Sequence, residues 1–194
     1  VERGAALARR TGCDLVIGLG GGSAVDAAKA IAAAAGLNRP ILDLMRDGMP
    51  GRGLPCLALP TTAGTGAEAT HISVLTIAEN KRKDGLRSPH NFPATAIVDP
   101  ALTLGLPPGL TASTGMDALA HAIEAYTSRT SQPYADLCAG KAIALVAKFL
   151  RRAVYRGNDL EARAGMAMAS NLGGIAISQA GTAAAHGIGM TVGR

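Results

Sequence analysis

Short apolar runs alternate with helical stretches in the first half of the chain. Residues 5–10 show helical periodicity, and residues 14–18 (Asp-Leu-Val-Ile-Gly) form the kind of apolar run that makes a buried parallel strand. A helix is predicted at residues 23–35, with Ser23 as its cap. We predict further strands at residues 57–60, 72–77 and 95–98. This alternation indicates an α/β unit with a mostly parallel sheet.

The pattern changes after residues 106–109 (Leu-Pro-Pro-Gly), beyond which no strand is predicted. Helical periodicity runs through residues 111–128, 133–151 and 158–180. We therefore expect an α/β lobe over residues 1–103 and an all-helical lobe over residues 104–194. The first residues already have the pattern of a helix interior, and the last show no helix-ending signal, so we expect both lobes to be incomplete.

Composition and charge narrow the class of protein. Hydrophobic residues make up 48% and charged residues 17% of the chain, which excludes disorder. Aromatic residues make up only 3% and the net charge of +5 is scattered, so we expect no nucleic-acid partner. The longest apolar run, residues 30–37, is far shorter than the roughly 20 residues of a membrane span. Three widely spaced cysteines (Cys13, Cys56 and Cys138) suggest thiols that serve as small core residues in a reducing compartment, and hence a cytoplasmic protein.

A glycine-rich loop lies between the first predicted strand and the helix after it. Its sequence, Gly-Leu-Gly-Gly-Gly-Ser over residues 18–23, could cradle a phosphate at the helix N-terminus, or form an ordinary tight turn. The loop departs from GxGxxG at its last position, which is Ser23. Asp26 and Lys29 follow one helical turn apart, where they could form a surface ion pair or, through Asp26, hold the glycine loop.

A second loop begins with residues 60–66 (Pro-Thr-Thr-Ala-Gly-Thr-Gly), directly after the second predicted strand. We call residues 60–70 the threonine loop. The three hydroxyls and two glycines of residues 60–66 suit contact with a ribose or adenine, although turn chemistry alone would also explain them. Parallel α/β sheets bind ligands beyond the carboxyl ends of their strands, and this position favours a ligand-binding loop.

Asp117 and His121 are the clearest candidates for chemistry. Their i, i+4 spacing places both side chains on one face of a helix, where they could close on a cation or simply hydrogen-bond to each other. A carboxylate and an imidazole suit Fe(II), Zn(II) or Mn(II). Two ligands do not complete a site, and the natural third candidate is His186, which lies among small apolar residues without a polar neighbour.

Taken together and in this order, these segments resemble the iron-containing (group III) alcohol dehydrogenases. The resemblance covers almost the whole chain and is carried by residues 20–30 (GGGSAVDAAKA), 60–70 (PTTAGTGAEAT), 99–100 (Asp-Pro) and 114–126 (TGMDALAHAIEAY). It implies the dehydroquinate synthase-like fold of that family, with a partial dinucleotide-binding α/β domain over residues 1–103 and a partial helical metal-binding domain over residues 104–194. It also implies hydride transfer between a small alcohol or aldehyde and NAD or NADP, assisted by a divalent metal, with Fe(II) preferred over Zn(II), in a homodimer.

The resemblance also implies roles for individual residues. The cofactor pyrophosphate would be bound by Gly20, Gly21, Gly22 and Ser23, with Asp26 just behind them. Thr61, Thr62 and Thr65 would line the adenosine side, and Thr70 and Lys83 would reach the ribose and nicotinamide. Catalysis would act through the metal, whose ligands in this chain would be Asp117, His121 and His186.

Three departures from the family pattern leave alternatives open. The chain has almost none of the nucleotide-binding unit that precedes the glycine loop in the family, and a fourth metal ligand would fall beyond Arg194. Met190 stands where the family usually has a histidine near the substrate. The alternatives are a maleylacetate reductase-like enzyme, which typically lacks the aspartate found here at Asp117, and a non-catalytic nucleotide-binding module. Dehydroquinate synthase is a more distant relative, without the threonine-loop pattern.

Overall fold

The structure, a computed structural model, describes residues 1–77 and 82–192, apart from the side chain of Met190. The helices are α1 (Glu2–Thr11), α2 (Gly22–Gly36), α3 (Ile41–Asp47), α4 (Pro108–Tyr126), α5 (Pro133–Tyr155), α6 (Leu160–Ala180) and α7 (Ala184–Val192). The strands are β1 (Val16–Gly20), β2 (Cys56–Pro60), β3 (Ile72–Ile77), β4 (Arg82–Arg87) and β5 (Thr95–Ala96). An α/β part followed by helices is the architecture that the sequence predicts.

A parallel three-stranded sheet with the order β1-β2-β5 forms the centre of the α/β part. The register pairs Gly20 with Pro60, so β1 and β2 end side by side. The glycine loop and the threonine loop therefore leave the same edge of the sheet, and the amide of Thr61 donates to the carbonyl oxygen of Gly20 at 2.8 Å. Two loops that are far apart in the chain are adjacent in space because the strands are parallel.

An antiparallel hairpin, β3–β4, stands apart from this sheet. The sequence predicts β3 with its observed bounds but assigns the region of β4 to a polar turn. That assignment is wrong because β4 has charged residues at four of its six positions and buries a single large apolar side chain, Leu86. Pairing with β3, rather than an apolar pattern, makes this segment a strand.

Helices α4, α5 and α6 pack on one another through small side chains. Ala118, Ala122, Ala139, Ala142 and Ala169 are fully buried, which brings the helix backbones close together. The predicted helices at 111–128, 133–151 and 158–180 correspond to these three, while the sequence pattern does not predict α3 or α7. Among the helices described, none combines the length and the apolar character required to cross a bilayer.

The strand predicted at residues 95–98 is limited to Thr95–Ala96. Two further local predictions are wrong. Ser23 does not cap α2, because Gly21 occupies the capping position in an extended conformation and Ser23 lies within the first turn. Cys13 is exposed rather than part of the core, whereas Cys56 and Cys138 are buried as expected, and all three are free thiols.

Candidate metal and nucleotide site

A cleft of about 360 Å³ brings the predicted residues of both kinds together. Its walls include the predicted cofactor residues Gly22, Ser23, Asp26, Thr65, Thr70 and Lys83, and the predicted metal ligands Asp117, His121 and His186. The remaining predicted cofactor residues, Gly20, Gly21, Thr61 and Thr62, are not among the residues that line it. The cleft is therefore bounded by the glycine loop, the hairpin and α4, with α7 closing one side.

Asp117, His121 and His186 present one potential ligand atom each within 4.8 Å of one another. Asp117 and His121 lie one turn apart on α4, and His186 comes from α7. The two imidazole rings stack at 4.3 Å between centroids, and Nε2 of His186 lies 3.4 Å from Oδ1 of Asp117. Nδ1 of His121 is 4.0 Å from the carboxylate of Asp117, too far for the simple hydrogen bond that is the alternative for this pair.

The Nδ1 atom of each imidazole has a hydrogen-bonding partner outside the cluster. Nδ1 of His121 lies 3.2 Å from the carbonyl oxygen of Gly64 in the threonine loop. Nδ1 of His186 is in close hydrogen-bonding contact with Oε2 of Glu124. Because a carbonyl oxygen can only accept, Nδ1 of His121 carries the proton, which leaves its Nε2 lone pair free. Such outer-shell oxygens are the usual partners of metal-binding histidines.

Glu124 also belongs to this site, although its residue type and position in the sequence do not by themselves identify its role. It lies on α4 two turns after Asp117, and its side chain is buried. The signal in the sequence is the spacing Asp117, His121, Glu124, which places all three on one face of a helix. What the spacing does not show is that the carboxylate meets His186, which lies 62 positions away in the chain.

The ionisation of the cluster favours a charged carboxylate beside the imidazoles. Burial works to raise the pKa of Asp117, but the hydrogen bond with His186 and the electrostatic interaction with the two imidazoles lower it overall. Burial lowers the pKa of His121, so that ring is neutral at neutral pH. The hydrogen bond with Asp117, helped by Glu124, raises the pKa of His186. The donor set of one carboxylate and two imidazoles fits a divalent transition metal such as Fe(II) or Zn(II).

The glycine loop is shaped for the close approach of a ligand to the backbone. Gly20 has a φ of +148°, a conformation that side chains rarely adopt. A Cβ atom at Gly22 would lie 2.5 Å from the Cγ2 atom of Thr65, so the two loops leave no room there for a side chain. α2 begins at Gly22, and the first amides of a helix lack intrahelical partners and attract anions. These features fit a phosphate group.

The predicted threonines take different positions. Thr65 lines the cleft, whereas Thr62 packs against the glycine loop with a buried hydroxyl that has no hydrogen-bond partner among the described residues. The hydroxyl of Thr70 is buried and bonded to the carbonyl oxygen of Ile72 and the ammonium of Lys29. Thr70 therefore organises the wall of the cleft, and its hydroxyl already has protein partners.

Asp26 and Lys29 form a buried pair rather than the surface ion pair that their spacing also suggests. The carboxylate of Asp26 accepts from the amide of Val74 at 3.0 Å and lies 3.3 Å from Nζ of Lys29. Burial raises the pKa of Asp26 and lowers that of Lys29, and their mutual attraction opposes both shifts. The ammonium also donates to the carbonyl oxygens of Ala67 and Ile72 and to the hydroxyl of Thr70. The ammonium of Lys29 therefore joins α2 to the threonine loop and to the β3–β4 hairpin.

Comparison with protein families matches nearly all of the chain to one family. Residues 1–100 match the model of the iron-containing alcohol dehydrogenases, and residues 111–194 match that of the C-terminal part of the Fe-containing alcohol dehydrogenase family.

Curated relatives and solved structures point the same way. The chain is 43% identical, over 99% of its length, to long-chain-alcohol dehydrogenase 1 of Geobacillus thermodenitrificans. It is 41% identical, over its whole length, to 1,3-propanediol dehydrogenase of Klebsiella pneumoniae. A crystal structure of sulfoacetaldehyde reductase from Bifidobacterium kashiwanohense in complex with NAD⁺ superposes with a TM-score of 0.93 at 42% identity, covering 98% of this chain and 52% of that one. The chain spans about half the length of these curated relatives, 49% and 50%.

Proposed function

The chain belongs to the iron-containing alcohol dehydrogenase family, and on that basis we propose that the protein transfers a hydride between an alcohol and an aldehyde or ketone, using NAD or NADP and a divalent metal. The observation that carries the proposal is the meeting of two sets of residues in one cleft. The glycine and threonine loops form one wall, and Asp117, His121 and His186 form another. A nucleotide and a cation bound there would lie side by side.

The metal ligands of the proposal are Asp117, His121 and His186. A divalent cation bound by them would act as a Lewis acid toward the oxygen of the substrate. The protein orients both imidazoles through their Nδ1 atoms: the carbonyl oxygen of Gly64 holds His121, and the carboxylate of Glu124 holds His186. Burial of His121 and Glu124 keeps water away from that side of the cluster.

The cofactor half of the proposal rests on the loops. The first turn of α2, with Gly21, Gly22 and Ser23, would bind the pyrophosphate, and Thr65 would line the path toward the adenosine. Lys83, on the hairpin side of the cleft, would reach the nicotinamide end. The bound nicotinamide would accept or donate the hydride. The related sulfoacetaldehyde reductase was solved with NAD⁺, which supports NAD as the first cofactor to test, with NADP as the comparison.

The presence of Asp117 favours a metal-dependent enzyme over a maleylacetate reductase-like one. Its carboxylate lies 3.4 Å from His186 and lines the cleft, so it is placed to act as a ligand. Met190, whose family counterpart is a histidine near the substrate, has its side chain outside the described part of the structure.

The remaining expectations also belong to the proposal. We place the boundary between the lobes at residues 103 and 104; the separate family matches to residues 1–100 and 111–194 support it. Three free thiols support a reducing, cytoplasmic location. A homodimer rests on the family resemblance alone, and light scattering of the purified protein tests it.

Absorbance of NADH tests the proposed activity. The purified protein is loaded with Fe(II) or Zn(II) under exclusion of oxygen and mixed with NADH or NADPH and a panel of small aldehydes and ketones, and then with NAD⁺ or NADP⁺ and the alcohols. We expect turnover of at least one substrate pair with metal and its loss after chelation. A protein that binds nucleotide but turns over no substrate with either metal or either cofactor is the non-catalytic module.

A further inference from the structure

Glu124 makes an unusual set of contacts for a buried carboxylate. It lies on α4, three residues after His121, with only 6% of its surface exposed. Oε1 accepts from the backbone amide of His186 at 3.2 Å, and Oε2 contacts the ring nitrogen Nδ1 of the same residue. One carboxylate thus holds both the main chain and the side chain of a single histidine.

The main-chain contacts join α4 to the beginning of α7. His186 is in the first turn of α7, where amides have no intrahelical acceptor. The carboxylate also accepts from the amide of Ala183 just before the helix. A negative charge at a helix N-terminus is favourable, so Glu124 stabilises the position of α7 beside the cleft.

The side-chain contact sets which nitrogen of His186 faces the cleft. Nδ1 points to Glu124, and Nε2 points to Asp117 at 3.4 Å. Both nitrogens of His186 therefore face a carboxylate, and a cation bound beside Asp117 would replace the proton on Nε2. The carboxylate of Glu124 can only accept, so it would keep the remaining proton of the ring on Nδ1 and leave the Nε2 lone pair for the cation. His121 achieves the same orientation with the neutral carbonyl oxygen of Gly64. The cluster therefore has two imidazoles with fixed orientations, and only one is held by a charge.

We infer that Glu124 is a positioning residue for the metal site: it holds His186 in the tautomer and orientation that let Nε2 bind the cation. The inference rests on the proposed function, because it concerns the same metal site. Glu124 itself would not be a metal ligand, because both of its oxygens are directed to His186.

Metal titration of matched variants tests this inference. Zn(II) is titrated calorimetrically into the wild type and into Glu124→Ala, Glu124→Gln and Glu161→Gln, and the visible spectrum of each Co(II) complex is recorded. Glu161 is the control, because its carboxylate pairs with Arg152 on the surface at the start of α6. Glutamine keeps the shape of Glu124 and an oxygen for the amides of α7. Its NH₂ group, however, also permits the wrong tautomer of His186.

We expect Glu124→Ala to weaken Zn(II) binding about 10–100-fold, and Glu124→Gln by about tenfold, with altered Co(II) spectra. The control should match the wild type in affinity and spectrum. Should the alanine variant lose its fold by circular dichroism, the glutamine variant decides. Wild-type affinity and spectrum in Glu124→Gln would overturn the inference and leave the proposed function standing. A wild type that takes up no Zn(II) or Co(II) would overturn the proposed function and the inference with it.

Discussion

At the scale of single residues, Asp117 supplies the negative charge that a pair of stacked histidines lacks. His121 is buried and neutral, and neutral imidazoles alone supply no charge to a cation. The low pKa of the Asp117 carboxyl keeps its negative charge in place at neutral pH. That charge makes the cluster a favourable place for a divalent ion.

Replacing Asp117 with alanine should therefore abolish most metal binding. We expect the affinity for Zn(II) to fall by more than about 100-fold, beyond the range typical of changes outside the ligand shell. Competition with a chromophoric chelator measures it. Asp43→Ala is the control, because the half-buried carboxylate of Asp43 pairs with the exposed Arg46 on α3 and does not line the cleft. An unchanged affinity in Asp117→Ala would show that the cation binds elsewhere.

Metal affinity should also depend on pH in a defined direction. The metal-free protein holds a proton on His186 up to a pKa above the ordinary value of about 6.5. Below that pKa the metal must displace the proton, so affinity should fall about tenfold per unit as pH decreases. Above it affinity should level off, because His121 is already neutral. Zn(II) titrations from about pH 5.5 to 8 cover the range in which histidine titrates, and a flat profile would contradict the raised pKa.

At the scale of elements, the threonine loop is fixed to α6 by the contact of two glycines. Gly66 has a φ of +58°, and a Cβ atom there would lie 2.5 Å from the Cα atom of Gly174. The amide of Gly66 donates to the hydroxyl of Ser170, and the hydroxyl of Ser178 donates to the carbonyl oxygen of Ala69. Backbone atoms on both sides leave no flexible group that could move away.

Gly66→Ala should be destabilising for two reasons. Backbone strain and overpacking together should lower the free energy of unfolding by about 2 kcal/mol or more. Gly12→Ala is a matched control, because Gly12 has a φ of +65° and a Cβ atom added there would meet no described atom within 4 Å. It should lose only about 1 kcal/mol from strain. Urea unfolding compares the two, and equal losses would mean that the contact with Gly174 contributes nothing.

Lys29 joins three elements, and its removal should affect all of them. In Lys29→Met the carboxylate of Asp26 and two carbonyl oxygens lose a buried cation. We expect a loss of about 3–5 kcal/mol, the usual result of breaking one side of a buried ion pair. Lys141→Met, at an exposed position of α5, is the control and should unfold like the wild type. A Lys29→Met protein of wild-type stability would contradict the role of this ammonium.

Some elements of the fold can be predicted from the sequence pattern, and others cannot. β1, β2 and the three long helices follow from apolar runs and helical periodicity. The prediction that β1 is buried is wrong, however, because Ile17 and Leu19 lie exposed on one face of the strand. β4 is a strand through pairing with β3, and its charged sequence indicates a turn. α3 is only seven residues long, and α7 is rich in glycine, alanine and small apolar residues. Such short or glycine-rich segments depend on their neighbours for structure.

At the scale of the whole molecule, the loops proposed to bind the nucleotide contact the cluster of Asp117, His121 and His186. The carbonyl oxygen of Gly64, in the threonine loop, accepts from His121, so a loop of the α/β part orients a proposed metal ligand of the helical part. The sequence predicts Asp117, His121 and His186 because of their residue types and spacing. It does not predict Glu124 or Lys29 as partners, because their importance arises from contacts with residues far away in the chain.

Transfer of deuterium most directly tests whether this cleft performs metal-assisted hydride transfer. The protein, loaded with Fe(II) or Zn(II), is incubated with an aldehyde that it reduces and with NADH deuterated at both positions of C4, and the alcohol product is analysed by mass spectrometry. We predict deuterium on the alcohol carbon with the wild type, little with Asp117→Ala, and none after chelation of the metal. Deuterium transfer that proceeds equally well in Asp117→Ala, or after the metal is removed, would contradict a metal site at Asp117, His121 and His186.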